Sequence, residues 1–152
     1  MNEHLRIERL RWWHLPEVAE MELAIFGPEA WSEGLLWTEL SAGNDYRAVL
    51  DRGAADAPIA GYAGTALSDT EAWINNIAVA AAYRRRGVAR MLMDDALARA
   101  RAAGAKAVYL EVAVDNVPAQ RLYDAYGFYG IGVRKNYYQH TGTDAAVMRM
   151  DL

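Results

Sequence analysis

The chain contains no cysteine. That absence removes disulfides, thiolate nucleophiles and thiolate metal ligands together. Histidine is nearly as scarce. His4, His14 and His140 lie too far apart in sequence to show ligand spacing, so no metal site is expected. With 4 prolines and 12 glycines in 152 residues, collagen-like and low-complexity readings are excluded. No apolar run approaches the ~20 residues that cross a bilayer, so no membrane partner is expected. The start, Met1-Asn-Glu-His-Leu-Arg-Ile-Glu8, lacks the basic-then-apolar order of a secretory leader. No basic stripe interleaved with aromatics runs along the chain, which argues against direct nucleic-acid binding. The expectation is a soluble, cytoplasmic, monomeric protein with one domain over 1–152 and a substantial core.

What is present is uneven. The net charge of −4 joins two unlike halves. Residues 1–75 carry 13 Asp and Glu against 5 Arg, a balance of −8. Residues 76–152 carry 7 against 11 Arg and Lys, a balance of +4. The acidic half suits a cationic partner and the basic half an anionic cofactor.

Hydrophobic period and punctuation predict the elements. His4 to Leu10 reads as a first strand, followed by a helix from Leu15-Pro16 to Phe26, with Pro16 in its first turn and Gly27-Pro28 breaking it. Ser32 is placed to cap a short helix from Glu33 to Leu40. Strands follow at Tyr46 to Leu50, Ile59 to Leu67 and Ala72 to Val79. A long helix over 86–103 stops at Gly104, and its small apolar stripe at Val88, Leu92, Ala96 and Ala100 suits close packing on a sheet. Val108 to Val114 is the most apolar strand. A helix with Pro118 in its first turn runs to Tyr126, and Phe128 to Tyr138 with Ala145 to Met150 make a terminal hairpin. This pattern predicts an α/β fold, with a mixed, mostly antiparallel sheet of about seven strands flanked by about four helices.

The run Tyr83-Arg-Arg-Arg-Gly-Val-Ala-Arg90 lies between a strand and the long helix. A glycine at such a turn lets free backbone N–H groups converge on an anion, and the arginines add charge where phosphates would sit. A pyrophosphate-bearing cofactor follows. The run lacks the Gly-Lys-Ser/Thr ending of a Walker loop. It also comes too late in the chain for a dinucleotide fingerprint, so ATP and NAD fall behind an acyl-CoA.

Arg84-Arg85-Arg86-Gly87-Val88-Ala89 resembles the Arg/Gln-x-x-Gly-x-Gly/Ala signature of the GCN5-related N-acetyltransferase (GNAT) superfamily. Leu110-Glu-Val-Ala-Val-Asp-Asn116 and Ala119-Gln-Arg-Leu-Tyr-Asp-Ala-Tyr-Gly-Phe128 are similar to the rest of that fold's cofactor side. Trp31-Ser32, Asn76-Ile-Ala-Val79, Leu110-Glu-Val112 and Arg134-Lys-Asn-Tyr-Tyr138 resemble the RimI-type branch, the ribosomal-protein-S18 alanine N-acetyltransferases, over nearly the whole chain. Two departures stand out. The signature begins with Arg84 and closes with Ala89 instead of glycine, both common variants that leave cofactor binding intact, and the loop at Gly27-Pro-Glu-Ala30 is longer than the usual approach to Trp-Ser.

The resemblance implies acetyl-CoA as cosubstrate and a protein N-terminus, that of ribosomal protein S18, as acceptor. On that basis the pantetheine arm would run beside Ile77, Ala78 and Val79, and the pyrophosphate would meet Arg84, Arg85, Arg86, Gly87, Val88, Ala89 and Arg90. Glu111 is the candidate general base, since a carboxylate within an apolar strand is unexpected unless it is paired or faces a cleft. It could instead serve structurally by accepting backbone or tyrosine hydrogen bonds. Tyr123 is the candidate general acid toward the departing thiolate. Asn116 either binds the cofactor arm or caps the following helix. Trp31, Tyr137 and Tyr138 either wall a peptide groove or anchor loops. Glu22, Glu33 and Glu39 are candidates for an acidic entrance. A small-amine or other-protein acetyltransferase and a non-catalytic acyl-CoA sensor remain the alternatives. Without cysteine or a Gly-x-Ser-x-Gly elbow, direct transfer fits better than an acyl-enzyme.

Overall fold

The computed structural model describes residues 3–152. Met1 and Asn2, the first residues of the segment without a leader pattern, lie outside the described residues. The strands are β1 (Leu5–Arg9), β2 (Asp45–Asp51), β3 (Ile59–Leu67), β4 (Glu71–Val79), β5 (Ala107–Ala113), β6 (Tyr129–Tyr138) and β7 (Thr143–Asp151). The helices are α1 (Leu15–Phe26), α2 (Glu33–Ser41), α3 (Val88–Ala102) and α4 (Val117–Tyr126). One mixed sheet has the order β1-β2-β3-β4-β5-β7-β6, and only the β4–β5 pairing is parallel.

Local chemistry sets the helix ends. Ser32 Oγ accepts from Leu35 N–H at 3.1 Å, capping α2. Asn116 Oδ1 accepts from Ala119 N–H at 3.3 Å, capping α4. The long helix begins at Val88 rather than Arg86, because Arg85 (φ 64°) and Gly87 (φ 77°) are both left-handed and cannot continue a helix backwards. The other boundaries fall within two residues of those expected.

The two faces of the sheet are covered differently. On one, α3 buries Val88, Leu92, Met93, Ala96, Leu97 and Ala100 against β3, β4 and β5. Gly61 makes that docking close: a Cβ there would come within 2.8 Å of Ala78 O and of Val88 Cγ1. On the other face, α1 and α2 pack Leu15, Val18 and Leu36 against Tyr46, Leu50 and Tyr62. Among the described residues, no helix is long and apolar enough to cross a membrane.

The feature that positions a site is a failure of pairing. β4 and β5 are in register only from Glu71↔Ala107 to Ile74↔Leu110. Beyond that point β4 stays with β3 as far as Val79, and β5 stays with β7 as far as Ala113. The parallel neighbours therefore part in the middle of the sheet.

Candidate active site

The parting strands open a cavity of about 1360 Å³. One rim is the free edge of β4, where Ile77, Ala78 and Val79 offer backbone groups with no β5 partner. The other rim is β5, with Glu111, followed by α4, which brings Asn116 and Tyr123. The two ends of the cavity differ in chemistry.

At one end stands the start of α3. Its first intrahelical bond runs from Met91 N–H to Gly87 O at 3.0 Å, so the N–H groups of Val88, Ala89 and Arg90 point out of the helix. No acid lies in the first turn, and Arg84, Arg85 and Arg90 line the cavity there. Left-handed residues at Arg85 and Gly87 turn the chain sharply, the geometry that gathers amides into an anion nest. A pyrophosphate fits this cradle. Arg86 does not join the lining: its guanidinium lies 5.0 Å from the Tyr83 ring, and its charge acts on Asp51. Asn116, read with two alternatives, is a helix cap that also lines the groove.

At the other end the carboxylate and the aromatics meet. Glu111 projects from β5 with its side chain 17% exposed, and its Oε2 lies 3.5 Å from Arg134 Nε. That ion pair is not a hydrogen bond, and Oε2 is buried without one. Tyr137 donates to the same carboxylate, and its phenol pKa is raised by burial first, then by the Glu111 charge and hydrogen bond. Tyr138 packs edge-on against Tyr137 at 5.0 Å and is pushed up to about 12 by burial and then by Tyr137 and Glu111. Trp31 faces the same cavity from the segment before α2.

Tyr123 is 5% exposed, edge-on to Phe128 at 5.9 Å, with its pKa raised to about 12 by burial and then by Tyr138. It is thus held as a neutral phenol at physiological pH, the state a proton donor needs.

The acidic entrance is corrected. Glu22 is not at an entrance but completely buried, 0% exposed, in the groove wall. Glu39 lines the groove, but its Oε1 already accepts from Tyr46 Oη at 3.0 Å and Asn44 Nδ2 at 3.2 Å. Glu33 is exposed in the first turn of α2, away from the cavity lining.

Sequence reading missed several contributors. Asn75 and Asn76 both present amides to the α1–α2 side, to Glu39 and Glu22 respectively. They share a side because the β3–β4 register slips there, from Gly64↔Asn76 to Thr65↔Ile74. Two adjacent asparagines inside Trp73-Ile-Asn-Asn-Ile-Ala-Val79 were the available signal. Glu29 Oε1 accepts from His140 N–H at 2.8 Å and Thr141 N–H at 3.0 Å, tying the α1–α2 connection to the β6–β7 loop across the groove mouth. Arg134 was signalled only as the first residue of the Arg134-Lys-Asn-Tyr-Tyr138 run that carries the resemblance, with no role attached to it.

Comparison with known proteins agrees with this geometry. An uncharacterized protein of Mycobacterium leprae is 38% identical over 99% of this chain, which spans 42% of that protein's length. N-alpha-acetyltransferase RimI of Mycobacterium tuberculosis is 36% identical, over 88% of this chain and 84% of its own. The crystal structure of the ribosomal-protein-S18-alanine N-acetyltransferase from Escherichia coli superposes with a TM-score of 0.83 at 27% identity, covering 97% of this chain and 93% of that one. The acetyltransferase (GNAT) family model matches residues 7–128, taking in α1, the parting strands, the α3 cradle and α4. The chain belongs to the acetyltransferase (GNAT) family.

Proposed function

We propose that this chain transfers the acetyl group of acetyl-CoA to the α-amino group of a protein N-terminus, with the N-terminal alanine of ribosomal protein S18 as its main acceptor. The observation that carries the reading is the groove between β4 and β5, which has an anion cradle at one end and Glu111 with Tyr137, Tyr138 and Trp31 at the other. The Mycobacterium tuberculosis relative, an N-alpha-acetyltransferase, supports a protein N-terminus as acceptor, and the Escherichia coli ribosomal-protein-S18-alanine N-acetyltransferase supports S18.

Acetyl-CoA is the donor. Its pyrophosphate rests on the N–H groups of Val88, Ala89 and Arg90 with Arg84 and Arg85 alongside, and its arm follows Ile77 to Val79. The α-amine enters from the Trp31–Tyr137–Tyr138 side and attacks the thioester carbonyl directly. Glu111 takes a proton from the attacking nitrogen, directly or through water. As the C–S bond breaks, Tyr123 gives its hydroxyl proton to the sulfur. One chain supplies every group in this scheme, so a monomer working in the cytoplasm suffices.

The test incubates purified protein with acetyl-CoA and three acceptors: an S18 N-terminal peptide, the same peptide with a blocked α-amine, and a panel of polyamines and amino sugars. Thiol release with the added acetyl located on the α-nitrogen is the expected result. Turnover of the small amines alone would replace this reading with a small-molecule acetyltransferase. Acetyl-CoA binding with no turnover would replace it with a sensor.

A further inference from the structure

Among the described residues, Glu22 is the only carboxylate removed completely from solvent, and the scheme above gives it no task. It sits on α1 against β3 and β4. Its Oε1 accepts from the Tyr62 hydroxyl and the Asn76 amide, and Asn76 Nδ2 also reaches Tyr62 Oη at 2.7 Å. Its Oε2 is buried and makes no hydrogen bond. The residue lines the same cavity as Glu111, Tyr137 and Tyr138. Burying a carboxylate oxygen with no donor is costly, and a fold that keeps one in a groove wall leaves a place for a donor to arrive.

The surroundings lack an internal counter-charge. Tyr62 faces Glu22 from β3, Asn76 from β4 and the Trp31 backbone from the segment before α2. Tyr46 on β2 feels its charge and is itself bonded to Glu39 of α2. None of these groups is a cation. Glu111, by contrast, already has Arg134.

Resting on the reading of a protein N-terminus as acceptor, we propose that Glu22 is a second acidic group of the acceptor site. As the acceptor enters, the groove wall yields and Oε2, shut off from solvent in the free protein, takes the α-ammonium's first proton, leaving Glu111 to take the second. Two protons leave the acceptor nitrogen, and the groove holds two carboxylates to take them. An α-ammonium sheds one proton to become a nucleophile and another once the N–C bond has formed. The first passes to Glu22, which becomes a neutral acid and later releases it to water. The second passes to Glu111 and restores the proton that Tyr123 gives to the departing sulfur. The net products are amide, CoA thiol and one solvent proton. Burial pushes the Glu22 carboxyl up to about 7, against the pull of the Asn76 amide and the Trp31 N–H. An ordinary α-amino group titrates at about 7.7–8.0, so the transfer is close to balanced.

The test compares wild type with Glu22→Gln and Tyr62→Phe, measuring peptide kcat/KM across pH, acetyl-CoA affinity and thermal melting. The wild type should show an ascending limb near neutrality that Glu22→Gln lacks. Its kcat/KM should fall about 100-fold, while acetyl-CoA affinity stays within about twofold. Tyr62→Phe, which removes a donor to the carboxylate, should move the limb to higher pH. A folded Glu22→Gln protein with wild-type kcat/KM and an unchanged profile overturns the inference alone. If Glu22→Gln does not fold, Tyr62→Phe decides: a shifted limb supports the role and an unshifted one overturns it. A wild type that binds acetyl-CoA but modifies no free α-amine overturns the acceptor reading, and this inference with it.

Discussion

The proposed chemistry rests on three side chains, which the sequence disclosed unequally. Glu111 was legible because a carboxylate inside Val108 to Val114 contradicts its surroundings. Tyr123 was legible only through resemblance, since a tyrosine on a helix is ordinary. Glu22 was misread as an entrance acid because α1 carries Glu17 and Glu20 as well, and three acids on one helix look like a solvated face. What separates them is tertiary. The α1 face that carries Glu22 meets the β4 slip, which brings the Asn76 amide to it. That burial has a stability signature. The Glu22 carboxyl stands at about 7 in the fold against an ordinary 4.5, so the native state binds its proton more tightly than the unfolded chain does. The benefit is fully present below 4.5 and is lost as pH rises through 7. At about 1.4 kcal/mol per pKa unit, ionising Glu22 costs the fold at most about 3–4 kcal/mol. Urea melts of Glu22→Gln and wild type at about pH 4.5 and 8 should therefore diverge in the variant's favour at the higher pH. A constant difference would contradict the burial.

Among elements, the strands and helices were readable from period and punctuation, whereas the parting of β4 from β5 was implied only by the GNAT resemblance, which lays the pantetheine arm along a splayed strand at Ile77 to Val79. Pairing register depends on partners far apart in sequence, and nothing in Asn75 to Val79 announces that its parallel neighbour leaves. The slip at Asn75 is equally non-local, although paired asparagines in an apolar strand hinted at it. The start of α3 was expected two residues early because arginine is a good helix former, whereas left-handed Arg85 and Gly87 end the preceding turn. Two substitutions test this architecture. Gly61→Ala would push a methyl to within 2.8 Å of Ala78 O and Val88. It should lower stability by roughly 1–3 kcal/mol, read as a lower denaturant midpoint. Gly87→Val places a β-branched residue at φ 77° where the cradle forms. About 1–3 kcal/mol of strain is expected there, with acetyl-CoA affinity lost by at least tenfold in calorimetry.

Across the whole molecule, the split between an acidic first half and a basic second half maps onto the groove lining. The first half brings Glu22, Glu29 and Glu39 to the acceptor end of the groove, and the second brings Arg84, Arg85 and Arg90 to the anion end. If this charge steers the donor, the acetyl-CoA on-rate should fall as ionic strength rises from about 0.05 to 0.5 M, because the Debye length shrinks well below 10 Å. Stopped-flow binding across that range checks it. An on-rate indifferent to salt would reduce the arginines to contacts made after docking. The central claim is that transfer occurs between the parted strands, with Glu111 and Tyr123 handling the protons. Its most direct test is kcat for α-amine acetylation in Glu111→Gln and Tyr123→Phe, with acetyl-CoA affinity measured on the same proteins. The account predicts kcat lower by about 10²–10⁴-fold in each, with affinity nearly unchanged. Wild-type kcat in both variants would contradict it.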